Sequence, residues 1–155
     1  MTTTKQSQKK STTAFTAEEQ AAMKARADEV RAGRGRGADK AAAEAQAMLD
    51  AIAALEPADR ALAEKVHVLV TEAAPELALK TWYGMPAYFK DGKVLCYFKA
   101  AEKFKTRYAQ FGFEDAAQLD DGNVWPVVYA ITDLTDKDAA VLTARVKKAV
   151  GQTAE

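Results

Sequence analysis

With 155 residues, the chain has the length of one domain and is long enough to bury a core of its own. Hydrophobic residues make up 48% and charged residues 28%, the balance of an ordinary globular protein, and every apolar run is too short to span a bilayer. Acidic and basic residues number 22 each, so no global field points to nucleic acid or an anionic membrane. One cysteine, Cys96, excludes an internal disulfide and a cysteine metal cluster.

Residues 1–14 are polar and basic, with no apolar segment of the kind a secretion signal needs, and they read as a disordered tail. The predicted domain covers 15–150, a helical extension over 15–55 followed by a core over 56–150. Thr16-Ala17-Glu18-Glu19 has capping-box spacing, which predicts a helix from there to about Val30. Gly33, Gly35 and Gly37 then interrupt it on backbone entropy, with Arg34 and Arg36 in the linker between helices.

From Asp39 to Leu55 the chain is alanine-rich, and Met48, Leu49, Ile52 and Leu55 fall on one helical stripe. Pro57 ends that helix and suits the first turn of the next, in which Leu62, Val66, Leu69 and Val70 recur through about Ala73. The two stripes predict an antiparallel helical hairpin.

After Pro75 the period shortens toward two and Val, Tyr and Phe replace alanine, which predicts strands. Asp91-Gly92 suits a two-residue type I′ hairpin, whose central residues both need positive φ. Extending that register without a break pairs Tyr88 with Leu95 and Ala87 with Cys96. Ala87, Phe89, Val94, Cys96 and Phe98 then face the core, while Tyr88, Lys90, Lys93, Leu95, Tyr97 and Lys99 face outward. Further along, the pattern predicts a turn over 100–103, a strand from Phe104 to Tyr108, a short helix from Glu114 to Leu119 and a turn at Asp121-Gly122-Asn123. A last strand spans Val127 to Ile131. The final helix begins near Thr135, with Asp136 and Asp138 in its first turn, Lys147 and Lys148 in its last, and Gly151 as the residue that ends it. The fold class is α+β: a small antiparallel sheet with helices packed on it, preceded by an N-terminal helical segment.

Zero net charge conceals a local asymmetry. Between Lys80 and Gln110, Lys80, Lys90, Lys93, Lys99, Lys103, Lys105 and Arg107 outnumber Asp91 and Glu102. Tyr88 and Tyr97, flanked by Lys90, Lys93 and Lys99, make a candidate binding surface for an anionic small ligand or single-stranded nucleic acid, which need stackable rings beside cations. The opposing expectation is that the apolar helices cover this face, since exposed aromatic patches are uncommon on monomers. On that expectation nucleic acid is not the partner.

Between Phe111 and Ala140 the balance reverses. Glu114, Asp115, Asp120 and Asp121 lie within eight residues and are candidate oxygen ligands for a weakly held iron. They have no EF-hand spacing, and the plain alternative is a solvated acidic turn. Cys96 and His67 are the one thiol–imidazole pair available, and a cysteine on the buried side of a strand behaves as a small hydrophobe. No nucleophile with its base and orienting group emerges, so no catalytic residue is assigned.

The stretch AAPELALKTWYGMPAYFKDGKVLCYF resembles the signature of the YdhG-like family of bacterial domains of unknown function, through Pro75, Tyr83, Gly84, Met85, Pro86, Gly92 and Lys93. The similarity runs from about Phe15 to Val150 and is densest between Leu62 and Ile131; the extension from Phe15 to Leu55 departs from the shortest members. The resemblance implies a small α+β fold and, through a frataxin-like branch, an intracellular iron chaperone serving iron–sulfur and haem assembly proteins. It brings no catalytic residues with it. Together with the residues, it describes a non-enzymatic cytoplasmic domain away from membranes, in which Gly84 bends the chain, Pro86 sets the entry to the hairpin, and Trp82, Phe89 and Phe98 fill the core.

Overall fold

The computed structural model describes residues 17–24 and 37–151, and the chain divides into two compact units, Met1–Lys40 and Ala41–Glu155. In the first, residues 17–24 are helical (α1). The predicted tail, Thr16 of the capping box, residues 25–30 of the first predicted helix, and Gly33 and Gly35 lie outside the described residues. Gly37, predicted as linker, is instead the first residue of helix α2, Gly37–Ala53.

The second unit holds the sheet. After α2 comes α3 (Pro57–Ala73), which opens on Pro57 as expected from a proline's preset φ and missing amide. Strands β1 (Ala78–Trp82), β2 (Met85–Lys90) and β3 (Lys93–Lys99) follow, then a single turn of helix, α4 (Ala101–Phe104), strands β4 (Ala109–Phe113) and β5 (Val128–Ile131), and helix α5 (Asp136–Ala149). The five strands form one antiparallel sheet in chain order. The α+β class follows directly. No helix among the described residues is long and apolar enough to cross a membrane.

Two hairpins share one turn geometry. Tyr83-Gly84 joins β1 to β2 with φ of 50° and 76°, and Asp91-Gly92 joins β2 to β3 with φ of 51° and 79°. Positive φ at both central residues marks type I′, whose twist matches that of the flanking strands. The first hairpin is a correction: Tyr83-Gly84 is a complete reversal between two paired strands, where a bend leading into one hairpin was expected.

Beyond the second turn the register slips. Lys90 pairs with Lys93 and Phe89 with Val94, but Tyr88 pairs with Cys96 and Ala87 with Tyr97, leaving Leu95 unopposed. This is a β-bulge, and one extra residue moves every later side chain of a strand to the other face. Tyr88 is therefore fully buried with Cys96 and Phe98 in the helix-covered core, while Ala87, Phe89 and Tyr97 share the opposite face. Trp82, opposite Met85 and half-buried, lies on that opposite face as well and does not fill the core.

The core packs Tyr88, Phe98, Phe111 and Phe113 of the sheet against Met48, Ile52, Val66, Val70, Leu142 and Val146 of the helices. Helix α3 packs chiefly on α5, and its Val66 and Val70 share one core cluster with Met48 and Ile52 of α2. Helix α5 starts at a complete capping box, Thr135 accepting from the amide of Asp138 and Asp138 accepting from that of Thr135. Gly151 follows its end with φ of 90°, its amide donating to the Lys148 carbonyl.

Two predicted elements are replaced. The segment 104–108 is the end of α4 and a bend, with the strand displaced to Ala109–Phe113. Buried Asp59 explains the extra helical turn: its carboxylate accepts from the amides of Ala101 and Glu102, at 3.3 and 2.9 Å, capping α4 from the start of α3. Residues 114–119 form a turn instead of a helix, with the Ala117 amide donating to the Glu114 carbonyl.

Candidate functional site

The predicted binding residues separate. Tyr88 is 0% exposed, its hydroxyl sharing a 3.0 Å hydrogen bond with Nδ1 of His67, so it has no surface to offer a ligand. Burial pushes the Tyr88 hydroxyl far above the ordinary phenol range, with the neighbouring Cys96 adding to the effect. The Cys96 thiol is also pushed up by burial and stays protonated, while burial lowers His67 below its ordinary value. His67 is thus engaged with Tyr88, and Cys96 is a core thiol with no stabilised thiolate.

Lys90 reaches to the end of α5, where its Nζ donates to the Val150 carbonyl at 2.7 Å. That is a helix C-terminal contact, favoured by the partial negative charge there, and it takes Lys90 away from the proposed surface. Lys93 is exposed beside the Asp91-Gly92 turn. Of the five residues, Tyr97 and Lys99 share the face opposite the helices, two positions apart on β3.

On that face Tyr97 lies flat over Gly112 of β4; a Cβ added at Gly112 would collide with the phenol ring. Glycine is required here by close approach. Trp82 stands 5.4 Å from Tyr97 between ring centroids, and Tyr83 stands edge-on to Trp82 at 5.0 Å. The result is a continuous strip of three rings. Met85 and Ala87, both buried, lie outside the main core cluster and are paired across the strands with Trp82 and Tyr97.

Two lysines, Lys80 and Lys99, share this face, and a third, Lys103, reaches its hairpin turn. The Lys80 ammonium lies 5.0 Å over the Phe89 ring and 3.6 Å from Glu44. Lys99 and Lys103 lie 5.7 and 5.6 Å from the Phe104 ring, and Lys103 also donates to the Gly84 carbonyl at 2.7 Å. Glu114 opposes them: burial first, and the Glu114 charge second, raise the Tyr97 hydroxyl above its usual value. Among the described residues Trp82 and Tyr97 are half-buried and Tyr83 is 81% exposed, so the strip presents ring surface outward as a platform.

Sequence reasoning missed Trp82, Tyr83, Gly112, Lys80 and Lys103 as members of this surface. Tyr83-Gly84 was the available signal, since an aromatic before glycine between two β-patterned runs also fits a two-residue turn. Gly112 carried a second signal, a lone glycine inside the strand pattern AQFGF.

The acidic residues do not assemble. Among the described residues no group of three or more His, Cys, Asp or Glu side chains is placed to hold a metal ion. Glu114, Asp115 and Asp120 line a shallow 410 Å³ depression with Trp125, and Asp121 is exposed outside it. Against family models, curated proteins and solved structures, the chain has no match.

Proposed function

We propose that this protein is a non-enzymatic binding module whose sheet face opposite the helices holds a flat, anionic ligand. The observation that supports it is Tyr97 lying over Gly112, with Trp82 beside it and Lys99 on the same face. A ring stacks on such a platform, and a phosphate or carboxylate is met by the lysines at its margin. Ring surface presented outward in this way suits binding, whereas reactions are ordinarily organised in concave, water-excluding pockets. The iron-chaperone expectation has no comparable support, because no three His, Cys, Asp or Glu side chains among the described residues are placed to hold a metal ion. The resemblance to the YdhG-like domains accords with the α+β class, and the iron it implies is not the kind of ligand that a face of rings and lysines suits. A cytoplasmic setting accords with the single buried, unpaired thiol.

The test is a tryptophan-fluorescence titration with thymidine monophosphate and with a single-stranded oligothymidylate. Each carries both ring and phosphate. Saturable quenching by either, weakened in Tyr97→Ala and in Lys99→Gln, is expected. A flat titration with both ligands would falsify the proposal.

A further inference from the structure

The two type I′ turns of the sheet have nearly the same backbone but different chemistry at their first central residue. Asp91, at φ 51°, is a residue type that such turns favour. Tyr83, at φ 50°, is not, because a bulky side chain in the left-handed region crowds its own backbone. An unfavourable residue is ordinarily kept where its side chain packs in the core. Tyr83 does the opposite: it is 81% exposed, and its ring contact among the described residues is edge-on to Trp82. Folding gains little from this ring. An observed backbone outlier with an exposed aromatic is the situation in which strain points to function.

The turn is also held in place. Lys103 donates from its Nζ to the Gly84 carbonyl at 2.7 Å, joining the hairpin tip to α4, and an ammonium has two further N–H donors to present to an anion. Trp82 connects Tyr83 to Tyr97 in ring-to-ring steps of 5.0 and 5.4 Å, and Lys80, Lys99 and Lys103 border the strip. Glu44, 3.6 Å from Lys80, and Glu114, near Tyr97, bring negative charge to its margin. A mononucleotide occupies one ring and one cation. An extended strand occupies several of each, and successive outward rings beside cations are what sequence-tolerant single-strand binders use.

We infer that the ligand of this face is single-stranded nucleic acid, and that Tyr83 is a stacking finger that holds one of its bases at the tip of the first hairpin. This rests on the platform reading above and identifies its ligand class. Duplexes keep their bases stacked inward, so they have no free ring face to place on Tyr83.

The experiment is a binding titration of the full chain with fluorescein-labelled oligothymidylate of about eight nucleotides, within the range that one such surface covers. Unlabelled thymidine monophosphate, the matching duplex and polyphosphate serve as competitors, and each variant is also melted. Wild type binds the oligonucleotide in preference to all three competitors. Tyr83→Phe, which keeps the ring, retains the affinity. Tyr83→Asn, which places the favoured Asn-Gly pair in the turn, loses roughly 5- to 150-fold, the equivalent of one base stack, with a Tm no lower than wild type. Tyr83→Asn binding as tightly as wild type, while Tyr97→Ala does not, overturns the finger and leaves the platform standing. Equal competition by the mononucleotide, the duplex or polyphosphate overturns single-strand recognition. Binding of neither oligonucleotide nor mononucleotide to wild type removes the platform itself.

Discussion

Nδ1 of His67 lies 3.0 Å from the hydroxyl of Tyr88, linking helix α3 to strand β2 within the core. The pair joins the chain's one histidine to a tyrosine that a simple strand alternation places on the other side of the sheet. It has consequences for stability that can be measured.

Burial lowers the pKa of His67 from its ordinary 6.5, so the unfolded chain takes up this proton first as pH falls. The neutral ring's contribution is complete above 6.5, begins to decline through 6.5, and is lost by the time pH passes below the folded-state value. Urea denaturation between pH 8 and pH 5 should show stability declining below about 6.5. His67→Gln should remove that part of the decline. Tyr88→Phe should cost about 1 kcal/mol at neutral pH by removing the ring's partner. A wild-type profile identical in shape to that of His67→Gln would show that the histidine is not desolvated by folding.

Gly112→Ala tests the packing under Tyr97. The added methyl meets the phenol ring, which must leave its place or force β3 and β4 apart. The expected loss is about 1–3 kcal/mol, the usual cost of overpacking. If the ring is the part that yields, ligand affinity falls in the same variant. Wild-type stability together with wild-type affinity would mean that Tyr97 does not rest on Gly112.

Asp59 is the buried acid that ties α3 to α4. Asp59→Ala leaves the amides of Ala101 and Glu102 without their acceptor, at a cost of about 1–3 kcal/mol. Hydrogen exchange should locate the effect, with amides of 101–106 losing protection while those of β2 and β3 keep theirs. Uniform loss across the sheet would instead mark Asp59 as a global core residue.

Lys99 and Lys93 occupy opposite ends of β3, roughly 20 Å apart at strand rise. Lys99 borders the ring strip and Lys93 does not, although the local sequence treats them alike. Lys99→Gln should weaken oligonucleotide binding and reduce the slope of log affinity against log salt by about 0.7, one phosphate contact. Lys93→Gln should leave both unchanged. Glu114→Gln should tighten binding, since its charge opposes an anion near Tyr97. Equal effects of the two lysine variants would move the ligand away from the aromatic strip.

Much of the architecture was legible in the chain because it is local. Asp91-Gly92 specifies its turn through backbone sterics alone, Pro57 and Thr135 mark helix starts through missing or capped amides, and Gly151 ends the last helix through positive φ. The α+β class follows from the change of period after Pro75. What only the tertiary structure decided is which face each strand residue occupies. Leu95 is an extra residue that no period-two pattern reveals, because its cost is set by neighbours across the sheet, including the Glu114 amide that donates to its carbonyl. That single slip puts Tyr88 and Tyr97 on opposite faces of the sheet, Tyr88 against His67 and Tyr97 beside Trp82. Likewise, Asp59 and the amides of Ala101 and Glu102 are more than forty positions apart, and the helical turn they stabilise depends on a contact formed only when the chain is folded.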